Sequence, residues 1–355
     1  MLRHLLLLAP LLLLAPLPLL ACADPDPGPG EPPPTVATGE LGTWQTAAAL
    51  PTARANHCAA AIDDWILVIG GNHKQGEGFV KTDEIHAAQL SSDGTLGPWQ
   101  LAGRTPSPVS ECSAAGDGRA LYIVDGIYDR EADARHVFTA ELDDAGRLGA
   151  LASMATLPQI AISSEATVHA DQLLMMDTVL PVEGDQTVTL RTSTAGGGAW
   201  ITDDWKIGFR AQSQYAFAAD FAYTLGGYKG DTGNPVTDEA FVAPLGDDGA
   251  IGATRPTTKL PAPTAFGEAI AVDDFVFLVG GRAQVFGAEA SNAVFAAPIE
   301  ADGNLGAWIV LPPLPLGRTN QELVVVGDFL VIAGGATDQG GDANVLVARV
   351  RFAPN

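Results

Sequence analysis

"AAPIEADGNLGAW", Ala296–Trp308, reads as the end of one β-strand, a tight reversal and the start of another. Nearly the same phrase, "AAQLSSDGTLGPW", runs from Ala87 to Trp99 with the same length, the same Asp-Gly pair and the same Leu-Gly-x-Trp ending. Weaker copies are "TAELDDAGRLGAL" (Thr139–Leu151) and "VAPLGDDGAIGAT" (Val242–Thr254). An Asp-Gly pair suits a reversal because it tolerates positive φ, which matches the twist of the flanking strands. A phrase that recurs along a chain marks a repeat, and the repeat decides the fold.

The Leu-Gly step or its equivalent begins at Leu41, Leu96, Leu148, Gly197, Ile251 and Leu305, at spacings of 55, 52, 49, 54 and 54. After each comes a loop, an apolar run of small residues, a two-residue polar turn, a second apolar run and usually a glycine pair. The six units begin at His57, Glu111, Ser164, Ser213, Gly267 and Gln321; unit one is "HCAAAIDDWILVIGG" and unit five "GEAIAVDDFVFLVGG". In five of the six, the first residue lies thirteen before the first of the pair; the second unit carries one extra residue, assigned to its turn. Each unit reads as four strands. Strands A and B are the two apolar runs, C follows a loop of variable sequence, and D follows the Asp-Gly reversal.

A four-stranded repeat of roughly 50 residues with Gly-Gly after its second strand resembles the Kelch repeat. The resemblance implies an all-β, six-bladed Kelch-like β-propeller over residues 41–355. The glycine pairs stand at Gly70-Gly71, Gly226-Gly227, Gly280-Gly281 and Gly334-Gly335, with Asp125-Gly126 and Asp177-Thr178 in units two and three. Strand D keeps Trp44, Trp99, Trp200 and Trp308 but has Leu151 and Thr254 elsewhere, and unit three is the most degenerate. The last unit ends after its third strand, "ANVLVARVRF" (Ala343–Phe352), and the orphan "LGTWQTA" (Leu41–Ala47) is the fourth it lacks. An N-terminal strand joining three C-terminal ones closes the ring and leaves no open edge.

Ahead of the repeats, Arg3 and His4 precede a leucine-rich run to Leu20 broken by Pro10, Pro16 and Pro18. This is an export signal rather than a membrane-spanning helix. Leu19-Leu20-Ala21-Cys22 resembles a bacterial lipobox, which implies a signal peptide over 1–21, cleavage before Cys22, and acyl chains on it that hold the protein to the cell envelope, by the outer-membrane sorting pattern. An ordinary secretory signal with a free Cys22 is the plainer alternative. Residues 22–40, rich in Pro and Gly, cannot bury a core and read as a solvated, semi-extended tether.

The chain of 355 residues carries a net charge of −23 with five lysines, which disfavours nucleic acid as a partner. Many acids sit in turns, so the charge reads as solubility. A monomer is expected. The six His are scattered, no metal-ligand spacing stands out, and there is no nucleophile elbow or phosphate loop.

The aligned units do expose a polar ring where the innermost strands begin. Cys58, Cys112, Glu165, Gln214, Glu268 and Glu322 form one row; His57, Glu111, Ser164, Ser213, Gly267 and Gln321 stand just before them. The functional reading is an axial cup that holds a sugar or, through carboxylate oxygens, a hard cation such as calcium; no other cofactor is expected. The plainer reading, which we favour, is the lining of a watery channel. Arg54, Arg210 and Arg318 align three residues ahead of the ring, either to meet an anionic ligand or to pair with backbone carbonyls or acids in the neighbouring blade; the second is favoured. Cys58 and Cys112 lie in adjacent units of an exported chain, so a disulfide or two buried thiols both remain open.

Two functions follow. The first is a non-enzymatic, lipid-tethered propeller whose variable loops bind a protein or glycan. The second is a sugar-acting enzyme resembling the periplasmic Kelch-type N-acetylneuraminate epimerases. That resemblance implies Glu111 or Glu165 as general acid/base and Arg54 or Arg210 on the substrate carboxylate. The first is favoured, because no compact catalytic constellation is legible. Convergence of these groups in one pocket would favour the second.

Overall fold

The computed structural model describes residues 39–352, apart from 125, 134, 159–163, 180–185, 195–196 and 231–232. The expected signal peptide, Cys22 and nearly all of the tether lie outside the described residues. Within them the repeat units become six antiparallel sheets arranged as blades. In blade 1, strand A (Cys58–Ile62) pairs with B (Trp65–Ile69), B with C (Gly78–Gln89) and C with D (Gln100–Ser110). The other A strands are Ser113–Asp117, Glu165–His169, Gln214–Phe217, Ala265–Val272 and Glu322–Val326. Each A strand touches the A strands on either side, so these six circle the axis. Small side chains such as Ala59–Ala61, Ala114 and Ala115 fill this crowded centre, while Ile, Leu and Val of strands B and C pack between blades.

The ring closes as the sequence reading expects. Gly39–Leu41 and Gln45–Thr46 both pair with the last strand, Val345–Phe352, with Leu41 opposite Val350 and Thr46 opposite Leu346. Gly39 and Glu40, the first described residues, already pair in this sheet. Gly39 faces Phe352, at the same end of the blades as the A–B turns. The first described residues therefore stand on the face opposite the starts of the A strands.

Three sets of contacts fix the spacing of the blades. At the axis, backbone N–H groups donate to the preceding blade: Phe266 to Gln212 (3.1 Å), Asn320 to Phe266 (3.0 Å), Asn56 to Asn320 (3.3 Å) and Glu111 to Asn56 (2.7 Å). All five residues of this belt adopt positive φ, between 52° and 61°. One turn further out, the second glycine of each pair donates to a carbonyl three residues ahead of the next unit, as Gly71 does to Val109 at the end of strand D (2.8 Å) and Gly335 to Arg54 (2.9 Å). A side chain cannot enter here: a Cβ on Gly70 would lie 2.5 Å from the Val109 carbonyl oxygen, and φ there is +63°.

On the opposite face the recurring Asp-Gly turn explains itself. In the opening phrase Asp302 Oδ1 accepts the Asn304 N–H (2.9 Å), and Gly303, at φ +82°, presses on the ring of Phe221 in blade 4. A Cβ would come within 2.3 Å of that ring. The turn is therefore both a hairpin reversal and a blade-to-blade contact.

Unit two needs a correction. Ser113 pairs with Val124 just as Cys58 pairs with Ile69, and both A–B turns have two residues. The second unit carries no extra residue. It begins at Cys112, which matches His57, while Glu111 matches Asn56 of the belt. Cys58 and Cys112 are thus staggered by one position rather than equivalent. That stagger offsets the divergence of neighbouring strands: the two Cα atoms lie 5.3 Å apart and the structure joins the cysteines in a disulfide.

A bridge closing a loop of 54 residues adds roughly 4 kcal/mol in the chain-entropy account. Calorimetry should show the melting temperature falling by several degrees on reduction. The Cys58→Ser, Cys112→Ser double variant should melt at the reduced value and ignore the reductant.

Candidate functional site

The belt residues form the mouth of a cup on the axis. Just inside are Glu165, Glu268 and Glu322, each the first or an early residue of its A strand, and a cavity of about 70 Å³ lies among them. A second chamber of about 250 Å³ shares Glu165, Tyr215 and Glu322 with the first, and alanine is the commonest residue of its lining. The mouth is more specific, because its three acids face one another.

Their electrostatics follow from that convergence. Burial pushes the Glu165 carboxyl up to about 8. Glu268 is raised well above the usual carboxylate range by burial and then by the Glu165 charge; Glu322 is raised by burial and by both of the others. Near neutrality burial and mutual repulsion therefore favour the protonated carboxyls. Such a site offers hydroxyl donors beside acceptor oxygens, the pattern that suits a polyhydroxylated or amine-bearing ligand. Glu111, at the belt, is raised by burial and partly restored by Lys81.

Other candidates belong elsewhere. Gln214 shares the row of Glu165 but is buried, with its amide donating to the Gln212 carbonyl (2.9 Å), and it does not line the cup. Arg318 is also absent from the cup: its guanidinium donates to the Gly334 carbonyl (2.9 Å) and meets Asp342 at 2.8 Å. Arg54 donates to the Gly70 carbonyl (3.0 Å) beside Glu84, and Arg210 pairs with Glu239. All three are buried and pair inside their own blades, not with the neighbouring blade as the favoured sequence reading expected.

His57 and Gln321 do line the cup. His57 is 1% exposed, and burial together with the Arg54 charge holds its imidazole down at about 3, so it stays neutral. Gln321 donates to the Val279 carbonyl (3.0 Å) and leaves its buried Oε1 without a partner. The sequence reading missed the belt itself: Asn56, Gln212, Phe266 and Asn320 also form the mouth. Phe266 stacks near Tyr228 at 6.1 Å, with the Arg282 guanidinium 5.5 Å from its centroid. Two asparagines, which tolerate positive φ, one residue before each unit were the available signal.

Among the described residues no cluster of His, Cys, Asp or Glu is arranged to hold a metal ion, and the acids of the cup do not meet that geometry. No helix of the described residues is long and apolar enough to cross a membrane.

No protein-family model matches the chain, and no curated protein matches it. Among solved structures, that of YjhT is similar over 87% of this chain and 99% of its own, with a TM-score of 0.65 and 13% sequence identity. The fold is a six-bladed β-propeller. At this identity the likeness extends to the architecture alone.

The raised acids carry a sign for stability. The folded protein keeps protons that the unfolded chain releases above about pH 4.5, so their contribution is greatest below that pH and declines as pH rises towards about 8. Glu165→Gln should melt with the parent at pH 4 and several degrees above it at pH 8. Parallel melting profiles across that range would contradict the protonation of these carboxyls.

Proposed function

We propose that the propeller is a non-enzymatic binding module of the cell envelope, presenting its cup face to a protein or glycan. The observation that carries this reading is the fate of the arginines. Arg54, Arg210 and Arg318 are consumed inside the blades, so none of these three guanidinium groups faces the acids of the cup. A site for an anionic sugar needs that cation. The loops between strands B and C lie on the cup face and differ most between blades. Phe286 in the loop of blade 5 and Phe79 at the start of strand C in blade 1 are 82% and 68% exposed, and adjacent loops are joined where the Ala290 N–H donates to Asp338 (3.1 Å).

The Kelch-like character and lipid attachment at Cys22 are part of this proposal. Gly39 stands on the face opposite the cup, so a tether running from Cys22 to Gly39 would leave the cup and its loops turned away from the membrane. Photo-crosslinkers placed at Phe79 and Phe286 in intact cells should capture a partner that crosslinkers at Asp247 and Asp328, on the other face, do not.

The convergence of Glu165, Glu268 and Glu322 favours the alternative of a sugar-acting enzyme, since a carboxyl raised towards neutrality suits a general acid. Such an enzyme would act on neutral sugars. Anomer exchange followed by NMR should stay at the uncatalysed rate with neutral and acidic sugars alike. Acceleration that disappears in Glu165→Gln would replace the binding reading with the enzymatic one.

A further inference from the structure

Acids drawn out of water inside the blades are met by cations of the chain itself. Glu84 meets Arg54, Glu239 meets Arg210 and Lys229, Asp342 meets Arg318, Asp203 meets Arg191, and Asp133 meets Arg130. The cause is general, since a carboxylate withdrawn from water needs a counter-charge or hydrogen-bond donors. Glu165, Glu268 and Glu322 depart from this. Burial alone acts on Glu165, and burial with the Glu165 charge acts on Glu268. Glu322 feels burial and both neighbours, eased only by the backbone of Ala59. No cation among the described residues offsets any of the three.

The three acids line one cavity of about 70 Å³ at the mouth of the cup. They are half-buried rather than sealed, so a ligand in that cavity meets them directly. Gln321 lines the same cavity and is fully buried. Its amide donates to the Val279 carbonyl (3.0 Å), and its Oε1 has no hydrogen-bond partner. Acceptors thus gather around one small cavity, and its lining contains no lysine or arginine.

We propose that the cup binds the ammonium group of a lysine side chain on a partner polypeptide, with Glu165, Glu268 and Glu322 as its acceptors. An ammonium has three N–H donors and no acceptor, which suits three carboxyls around one cavity. It supplies the counter-charge that these acids lack. The volume is enough for about five waters, and so for the ammonium with the first carbons behind it. Lysine carries that charge at the end of a flexible aliphatic stem and reaches a narrow cavity end-on. In an amino sugar the nitrogen is fixed to a ring that must enter with it. Asn56 and Asn320 bring side-chain amides to the mouth, where the partner's backbone arrives. This inference rests on the binding reading and names the chemistry of its ligand.

The test is isothermal titration of the full chain with Nα-acetyl-lysine amide. That probe should bind about tenfold more tightly than its uncharged counterpart, Nα-acetyl-norleucine amide, or than glucosamine. Its affinity should rise about tenfold from pH 6 to pH 7, as one proton leaves the carboxyls for each ligand bound. The other titratable groups facing the cup are His57, which stays neutral, and Glu111, which Lys81 partly offsets. Glu111→Gln, which copies Gln212 of the belt, should therefore keep that rise. Glu268→Gln should weaken lysine binding about tenfold and melt no lower than the parent, because it removes a repulsive charge and keeps the shape. Lysine binding no tighter than that of norleucine or glucosamine, a flat pH profile, or an affinity unchanged by Glu268→Gln would each overturn the proposal. Crosslinking at Phe79 and Phe286 does not depend on the cup acids, so the wider binding reading stands or falls separately.

Discussion

The rest of this structure depends on six strands meeting at one axis. Each must begin close enough to its neighbours to share a backbone hydrogen bond, and the belt through Gln212, Phe266, Asn320, Asn56 and Glu111 shows the cost. Every one of these residues is held at positive φ, a conformation that asparagine tolerates and that strains glutamate, glutamine and phenylalanine. Once the belt is set, blade spacing follows. The glycine pairs lock onto the next blade's loop, the Asp-Gly turns lie on the previous blade's strand-B ring, and the strand-D tryptophans stitch the rim.

The same crowding produces the acid cup. Side chains at the start of the inner strands have two destinations, the gap between blades or the axis. Ser113 and Gln214 bond between neighbouring segments, and Cys58 bonds covalently to Cys112. Glu165, Glu268 and Glu322 turn to the axis instead, where each removes solvent from the others and their charges repel. The raised carboxyls are therefore a consequence of symmetry: a ring repeats a position, and a repeated acid meets its copies.

Repetition also makes departures informative. A blade that keeps the register yet changes one residue stands out against its siblings, as blades 2 and 4 do at Leu151 and Thr254. Arg54, Arg210 and Arg318 teach the converse. They align in sequence as one row, yet each is absorbed by an acid of its own blade, namely Glu84, Glu239 and Asp342. Aligned arginines meeting acids on strand C or just ahead of it are a structural device of the blade.

The sequence by itself determined the all-β class, the number of blades, the two ends of each hairpin and the closure by the N-terminal strand. These rest on local rules, namely turn chemistry and strand periodicity, which repeat six times and so correct one another. It placed Glu165, Glu268, Gln321 and Glu322 on the ring for the same reason. Only the tertiary structure decided which of those side chains face the axis, because a strand's two faces look alike in sequence when both are buried. It also moved unit two by one residue, since Glu111 and Cys112 are equally acceptable starts until the pairing of Ser113 with Val124 fixes the register. That single residue decides whether Cys58 and Cys112 can bond, because bonding depends on a distance between neighbouring blades that no local pattern encodes.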